Sequence, residues 1–209
     1  MSKKLIFDLD GTLLFLSNDW EPAYQAFIDK YNLKITPKDL FSCIGTFELN
    51  NSDIIVTKKI LCDYINSRLN IILTEEMLNE LNKYYNNIPL LDTDKIYDLL
   101  EYLSSKYELF AYSNWFTEEQ EYRLERYDLK KFFKKVYGWD IIPLKPSKEG
   151  PLQITNGNID DYIMIGDTIE TDILVPNLLG METIFYNRKN IEQNKYKEIK
   201  TIYELKEIL

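Results

Sequence analysis

Leu109–Tyr112, Val136–Trp139, Tyr162–Ile165 and Thr183–Tyr186 are four short apolar runs separated by helical patterns, and this alternation most restricts the fold. Runs of this length without polar interruption fit strands buried on both faces. Strands that alternate with helices pair in parallel, because each crossover helix packs back onto the sheet. A further short strand, about Lys3 to Leu9, opens the chain. The pattern therefore predicts an α/β fold, a three-layer α/β/α core around a parallel sheet.

The stretch from Leu14 to Pro89 has a different character. Trp20, Tyr24, Phe27 and Tyr31 recur on one helical face, and this stripe is read as core. Thr36-Pro37-Lys38-Asp39 combines an N-cap, a proline at the first helical position and an acid three residues after the cap. A third helix is expected over Ser52 to Leu69, and a fourth from the Thr74-Glu75-Glu76 cap to about Tyr85. Residues 15–89 thus read as a helical domain inserted into a core made of residues 1–14 and 90–209. Within the core, helices are expected over Asp94 to Lys106 and Thr171 to Leu179, with Thr117-Glu118-Glu119-Gln120 as a capping box opening another. Gly150, Pro151 and Gly157 argue against a long helix after Lys145.

Composition removes several functions. The chain of 209 residues has no histidine, which excludes Ser-His-Asp, Cys-His and zinc–histidine chemistry. Cys43 and Cys62 are too few for a disulfide framework, which fits a cytoplasmic protein. A formal charge of −9 argues against nucleic acid or an anionic membrane as partner. No apolar run approaches a membrane span, and Met1-Ser2-Lys3-Lys4 leads into an apolar stretch too short for a signal peptide. The excess of acids favours a hard cation such as Mg²⁺. A monomer and a homodimer are both compatible with the sequence.

In open parallel sheets, ligands bind outside the carboxyl ends of the strands. Those ends carry Asp8 and Asp10, then Ser113 and Asn114, then Lys145, then Asp167. Two carboxylates two residues apart on one strand face repel unless a cation lies between them. Three carboxylates, a hydroxyl, an amide and an ammonium on one rim suit a divalent cation beside a phosphate.

The motifs Asp8-Leu9-Asp10-Gly11-Thr12, Ser113-Asn114, Lys145-Pro146 and Gly166-Asp167-Thr168 with Asp172 occur in an order that resembles the haloacid dehalogenase-like superfamily, in its phosphatase and phosphomutase branch. The resemblance covers Lys3 to Leu14 and about Pro89 to Arg188, and implies a Rossmann-like core with a helical cap over the site. It implies that Asp8 is a nucleophile forming an aspartyl phosphate, and that Asp10 protonates the leaving oxygen and then deprotonates water. Asp8, the Asp10 main-chain carbonyl and Asp167 would hold Mg²⁺. Thr12, Ser113 and Asn114 would bind substrate with Lys145, which neutralises phosphate and nucleophile; Asp172 would orient Lys145 or a metal-bound water. Trp115 would narrow the pocket or stack on the ligand. Phe41 to Phe47, containing Gly45, resembles a cap loop that dips into the site.

These implications describe a Mg²⁺-dependent phosphatase for a small soluble phosphate ester, with a phosphomutase or a non-catalytic phosphate-binding relative as alternatives. The second acid, Asp10, favours phosphate esters over haloacids, because an alkoxide leaving group needs a proton and a halide does not. Departures from the family pattern after Pro146 leave Lys148 as a competitor for the role of Lys145.

Overall fold

The computed structural model describes residues 3–209, so Met1 and Ser2, part of the stretch read against a signal peptide, lie outside the described residues. In chain order, β1 (Lys4–Phe7) and β2 (Phe15–Leu16) precede four helices, α1 (Glu21–Lys30), α2 (Pro37–Asn50), α3 (Lys58–Leu69) and α4 (Glu75–Asn86). Then come β3 (Leu90–Leu91), α5 (Thr93–Ser104), β4 (Glu108–Tyr112), α6 (Thr117–Glu125), β5 (Phe133–Tyr137) and α7 (Glu149–Thr155). The chain finishes with β6 (Tyr162–Gly166), α8 (Leu174–Leu178), β7 (Glu182–Tyr186), β8 (Glu198–Ile199) and α9 (Leu205–Ile208).

Six strands form one parallel sheet in the order β5-β4-β1-β6-β7-β8. Numbered along the chain, these six strands run 3-2-1-4-5-6, the doubly wound order, whose switch point beside the first strand opens a crevice. Phe7 is in register with Ala111 of β4 and Ile165 of β6, so the chain leaves β1 between two neighbours that end at the same level. The central strands β1, β4 and β6 are apolar over most of their length because both faces of the sheet are covered there. Leu5 and Phe7 pack with Ile96, Leu99 and Leu103 of α5, while Ile6 packs oppositely with Tyr112, Ile154 and Met164. β1 is shorter than the expected Lys3 to Leu9, and its end at Phe7 leaves both aspartates beyond the strand.

Helices α1 to α4 share a second apolar cluster that includes Phe27, Leu40, Phe47, Leu61, Ile65 and Leu78. Thr36 and Asp39 form the expected capping box at α2. The third helix begins at Lys58 rather than Ser52, capped by Thr57, whose hydroxyl accepts from Ile60 N. The preceding stretch is held elsewhere: Val56 is fully buried and its N–H donates to Trp139 O at 2.7 Å. Phe41 to Phe47 is helix rather than loop, since Leu40, Cys43, Ile44 and Phe47 give α2 a buried face that outweighs the roughly 1 kcal/mol cost of a mid-helix glycine. Trp139 lies past the end of β5 and is buried in the helical cluster instead of the sheet. The helix of the crossover from β5 to β6 is short, as expected: α7 has seven residues, holds Gly150 and Pro151 in its first turn, and ends at left-handed Asn156 and Gly157. Among the described residues, no helix is long and apolar enough to cross a membrane.

Candidate active site

The carboxyl ends of β1, β4 and β6 open into a cavity of about 380 Å³, whose opposite wall comes from α1, α2 and α4. Asp8 sits at its base, 6% exposed, and its main-chain N–H still donates to Ile165 O at 2.9 Å, in continuation of the sheet. Lys145 Nζ donates to Asp8 Oδ1 at 2.6 Å and to Asp172 Oδ1 at 2.7 Å, and these three groups are 6% exposed or less. One ammonium thus bridges two buried carboxylates. Burial pushes the Asp8 carboxyl up to about 7; Lys145 opposes this rise and Asp172 adds to it. Burial pulls the Lys145 ammonium down, but Asp172 and Asp8 together hold it above its ordinary value. Lys148 is exposed at the start of α7 and takes no part in this arrangement.

The surroundings of these groups explain their placement. Asp172 lies on a single π-helical turn, Ile169–Ile173, a deformation often found at functional sites. It packs so close to the end of β6 that a Cβ on Gly166 would lie 2.4 Å from its own Cβ, which restricts that position to glycine. Asn114 was expected to bind substrate, but its amide is committed to the Lys145 main chain. Nδ2 donates to Lys145 O at 2.9 Å and Oδ1 accepts from Lys145 N at 2.7 Å, which fixes the loop carrying the lysine. Thr12 also differs from expectation: it is fully buried, and its hydroxyl donates to Asp8 Oδ2 at 2.9 Å instead of entering the cavity.

Asp10 turns to another cation. Arg123 Nη1 lies 2.7 Å from Asp10 Oδ1, and Gln120 Nε2 donates to Asp10 Oδ2 at 3.0 Å and to Ser113 Oγ at 2.8 Å. Gln120 and Arg123 are three residues apart on the inner face of α6, and their polar spacing just after Ser113-Asn114 was the only sign of this role in the sequence. The expected Thr117 capping box does not form. The Thr117 hydroxyl donates to Asp140 Oδ1 at 2.8 Å, while Gln120 points into the site.

One carboxylate oxygen from each of Asp8, Asp167 and Asp172 lies within 4.8 Å of the other two. An all-oxygen, anionic donor set fits a hard divalent cation, and Mg²⁺ suits it. Asp172 is the most engaged of the three, because it accepts from Lys145 and also from Thr168 N at 3.0 Å. Asp167 is freer: Thr168 Oγ1 donates to it at 3.2 Å, and Arg188 Nε stands 3.5 Å away. Burial, with Asp172 adding to it, raises the Asp167 carboxyl, and Arg188 and Lys189 oppose the rise. The Asp10 carboxylate is not in this cluster. On the far wall, Trp115 donates from Nε1 to Asn82 Oδ1 at 3.2 Å and packs against Trp139 at 4.8 Å between ring centres.

Residues 5–186 match the family described as haloacid dehalogenase-like hydrolase. The HAD-hydrolase YfnB from Bacillus subtilis, described as putative and bound to magnesium, superposes with a TM-score of 0.74 at 20% identity, covering 100% of this chain and 99% of that one. A HAD phosphatase from Thermococcus onnurineus gives a TM-score of 0.67 at 22% identity, over 99% and 97%. An L-2-haloacid dehalogenase from Xanthobacter autotrophicus, with chloropropionic acid covalently bound, gives 0.70 at 12% identity, over 100% and 98%. At these identities the structural likeness establishes the fold. No curated protein matches the chain.

Proposed function

The chain belongs to the haloacid dehalogenase-like hydrolases, and within that family we propose that it is a cytoplasmic, Mg²⁺-dependent phosphatase acting on a small soluble phosphate monoester. The observation that carries this reading is Asp10. Its carboxylate lines the cavity that contains Asp8, is 41% exposed, and is held by Arg123 and Gln120. Displacing a halide leaves nothing to protonate, so a carboxyl positioned as a proton donor favours an alkoxide leaving group.

In the proposed reaction Asp8 attacks phosphorus, the ester P–O bond breaks, and Asp10 gives its proton to the departing alkoxide. Water then attacks the aspartyl phosphate, Asp10 takes a proton from that water, and inorganic phosphate leaves with Asp8 restored. Lys145 offsets the charge of nucleophile and phosphate. Because Gln120 donates to Ser113 Oγ, the Ser113 hydroxyl hydrogen is left to turn toward a phosphate oxygen. Asp8, Asp167 and the Asp10 main-chain carbonyl would hold Mg²⁺, with Asp172 behind them, and the cation would neutralise charge on the transferring phosphoryl group. Residues 15–89 act as the cap, and closure of α1 to α4 over the cavity excludes bulk water.

The test is release of inorganic phosphate from a panel of phosphate esters with Mg²⁺, alongside chloride release from 2-chloropropionate. Phosphate release that falls about 10⁴-fold or more in Asp8→Asn is expected. Halide release without phosphate release, or an Asp8→Asn variant that turns over normally, would refute the reading. An isomerised ester in place of free phosphate would identify a mutase.

A further inference from the structure

We infer that the Glu48 end of the cavity is a subsite for a positively charged nitrogen, so that the ester taken here carries an ammonium group. Five carboxylates line the cavity: Asp8, Asp10, Glu48, Asp167 and Asp172. Four have a cation of the protein within 4.0 Å, namely Lys145 for Asp8 and Asp172, Arg123 for Asp10 and Arg188 for Asp167. Glu48, on α2, has no ion pair and no side-chain hydrogen bond among the described residues. A carboxylate placed in a cavity without a counter-charge is costly to keep ionised. An occupant that brings a positive charge would supply the counter-charge and keep Glu48 ionised.

The walls beside it suit the same ligand. Tyr24, Phe41 and Trp115 line the cavity with Glu48, and aromatic faces attract ammonium groups, alkylated ones included. A purely anionic ligand would find Glu48 repulsive, and a purely apolar one would strand it. Burial pushes the Glu48 carboxyl up to about 8, with Lys145 opposing and Asp10 and Asp8 adding, and a bound cation would return it to the ionised form. A second group in the same wall also waits for a partner. Asn82 is 3% exposed, its Oδ1 accepts from Trp115, and its Nδ2 has no hydrogen-bond partner. Glu48 would accept from the nitrogen of the ligand.

Naming the ligand a phosphate ester rests on the phosphatase reading, whereas the subsite rests on Glu48 and the rings. The experiment separates the two. Calorimetry on Asp8→Asn with Mg²⁺ compares O-phosphoethanolamine with propyl phosphate, which has the same length and a methyl in place of the ammonium. The ammonium ester should bind at least about tenfold more tightly, the order expected for a buried charged hydrogen bond. Adding Glu48→Gln, which keeps shape and removes charge, should erase that ratio. Melting curves confirm that each variant is folded, and the ligand comparison on Asp8→Asn needs no change at Glu48. Equal binding, a ratio that survives Glu48→Gln, or tighter binding of glycerol phosphate would overturn the subsite. Phosphate release by the wild-type protein from both esters without preference would overturn it and leave the phosphatase reading intact. The binding ratio, with no hydrolysis of either ester or of p-nitrophenyl phosphate, would support the subsite and overturn the phosphatase reading.

Discussion

Arg123 holds Asp10 across 113 residues of sequence: its almost buried guanidinium sets Nη1 2.7 Å from Asp10 Oδ1 and 2.9 Å from Oδ2, and it lies over the Tyr85 ring at 5.3 Å. Both oxygens of the proposed acid are thereby fixed, one of them also by Gln120. Arg123→Met keeps the volume and removes the hold. A misplaced acid costs on the order of 10²-fold in rate, so kcat should fall by about that factor with KM nearly unchanged. Stability should fall by about 1–3 kcal/mol as well, because Gln120 is fully buried and its Oε1 loses the Arg123 Nη1 donor at 3.0 Å. A wild-type kcat in this variant would show that Asp10 needs no positioning.

The metal-free protein should be more stable at pH 5 than at pH 8. Asp8 is pushed up to about 7 and Glu48 to about 8 in the folded chain, against about 4 for unfolded carboxyls. Between those values the folded state holds more protons than the unfolded one, so stability is lost as pH rises through the window. Acids held low, such as Asp39 and Glu80, titrate beneath it and do not offset the trend. Mg²⁺ should flatten the slope by favouring the ionised Asp8. Thermal melts in chelator across this range decide the point, and a midpoint that rises with pH would contradict it.

Mg²⁺ itself should raise the melting temperature. A ligand that binds only the folded state adds about 2.7 kcal/mol at a hundredfold excess over Kd. For a chain of this size each kcal/mol moves the midpoint by roughly 2–4 °C. Beryllium fluoride with Mg²⁺ should add a further increment, as a mimic of the phosphorylated Asp8, and Asp8→Ala should abolish that increment. A metal shift with no added effect of the mimic would favour a plain cation site.

Gly45 offers a separate probe of the cavity. It lies within α2, lines the cavity, and has no positive φ that would require glycine. A Cβ there would meet no atom within 4 Å. Gly45→Ala should therefore stabilise the protein by about 0.5–1 kcal/mol. Gly45→Leu should raise KM for bulky esters more than for small ones. Equal effects on all substrates would place position 45 away from the bound ester.

The sequence by itself determined what is local or periodic. The apolar runs ending in Asp8, Ser113 and Gly166-Asp167 set the strands and put those groups on one rim, because a strand buried on both faces admits few polar residues until it ends. The Thr36 cap of α2 and the Tyr24–Phe27 stripe of α1 were equally legible, whereas around Gly45 the resemblance suggested a loop and a buried face of α2 kept the helix. Tertiary structure decided which groups meet. Thr117-Glu118-Glu119-Gln120 carries a cap signature, but Asp140 claims Thr117 and the site claims Gln120. Asn114 and Thr12 look like ligand contacts in one dimension, and in three they secure Lys145 and Asp8. Arg123 and Glu48 carried no motif, since the direction of a helical side chain matters only once the helix is docked. Asp10 lies 113 residues from Arg123, and only the docking of α6 beside β5 and of α2 among the cap helices brings Asp10, Arg123 and Glu48 to one cavity.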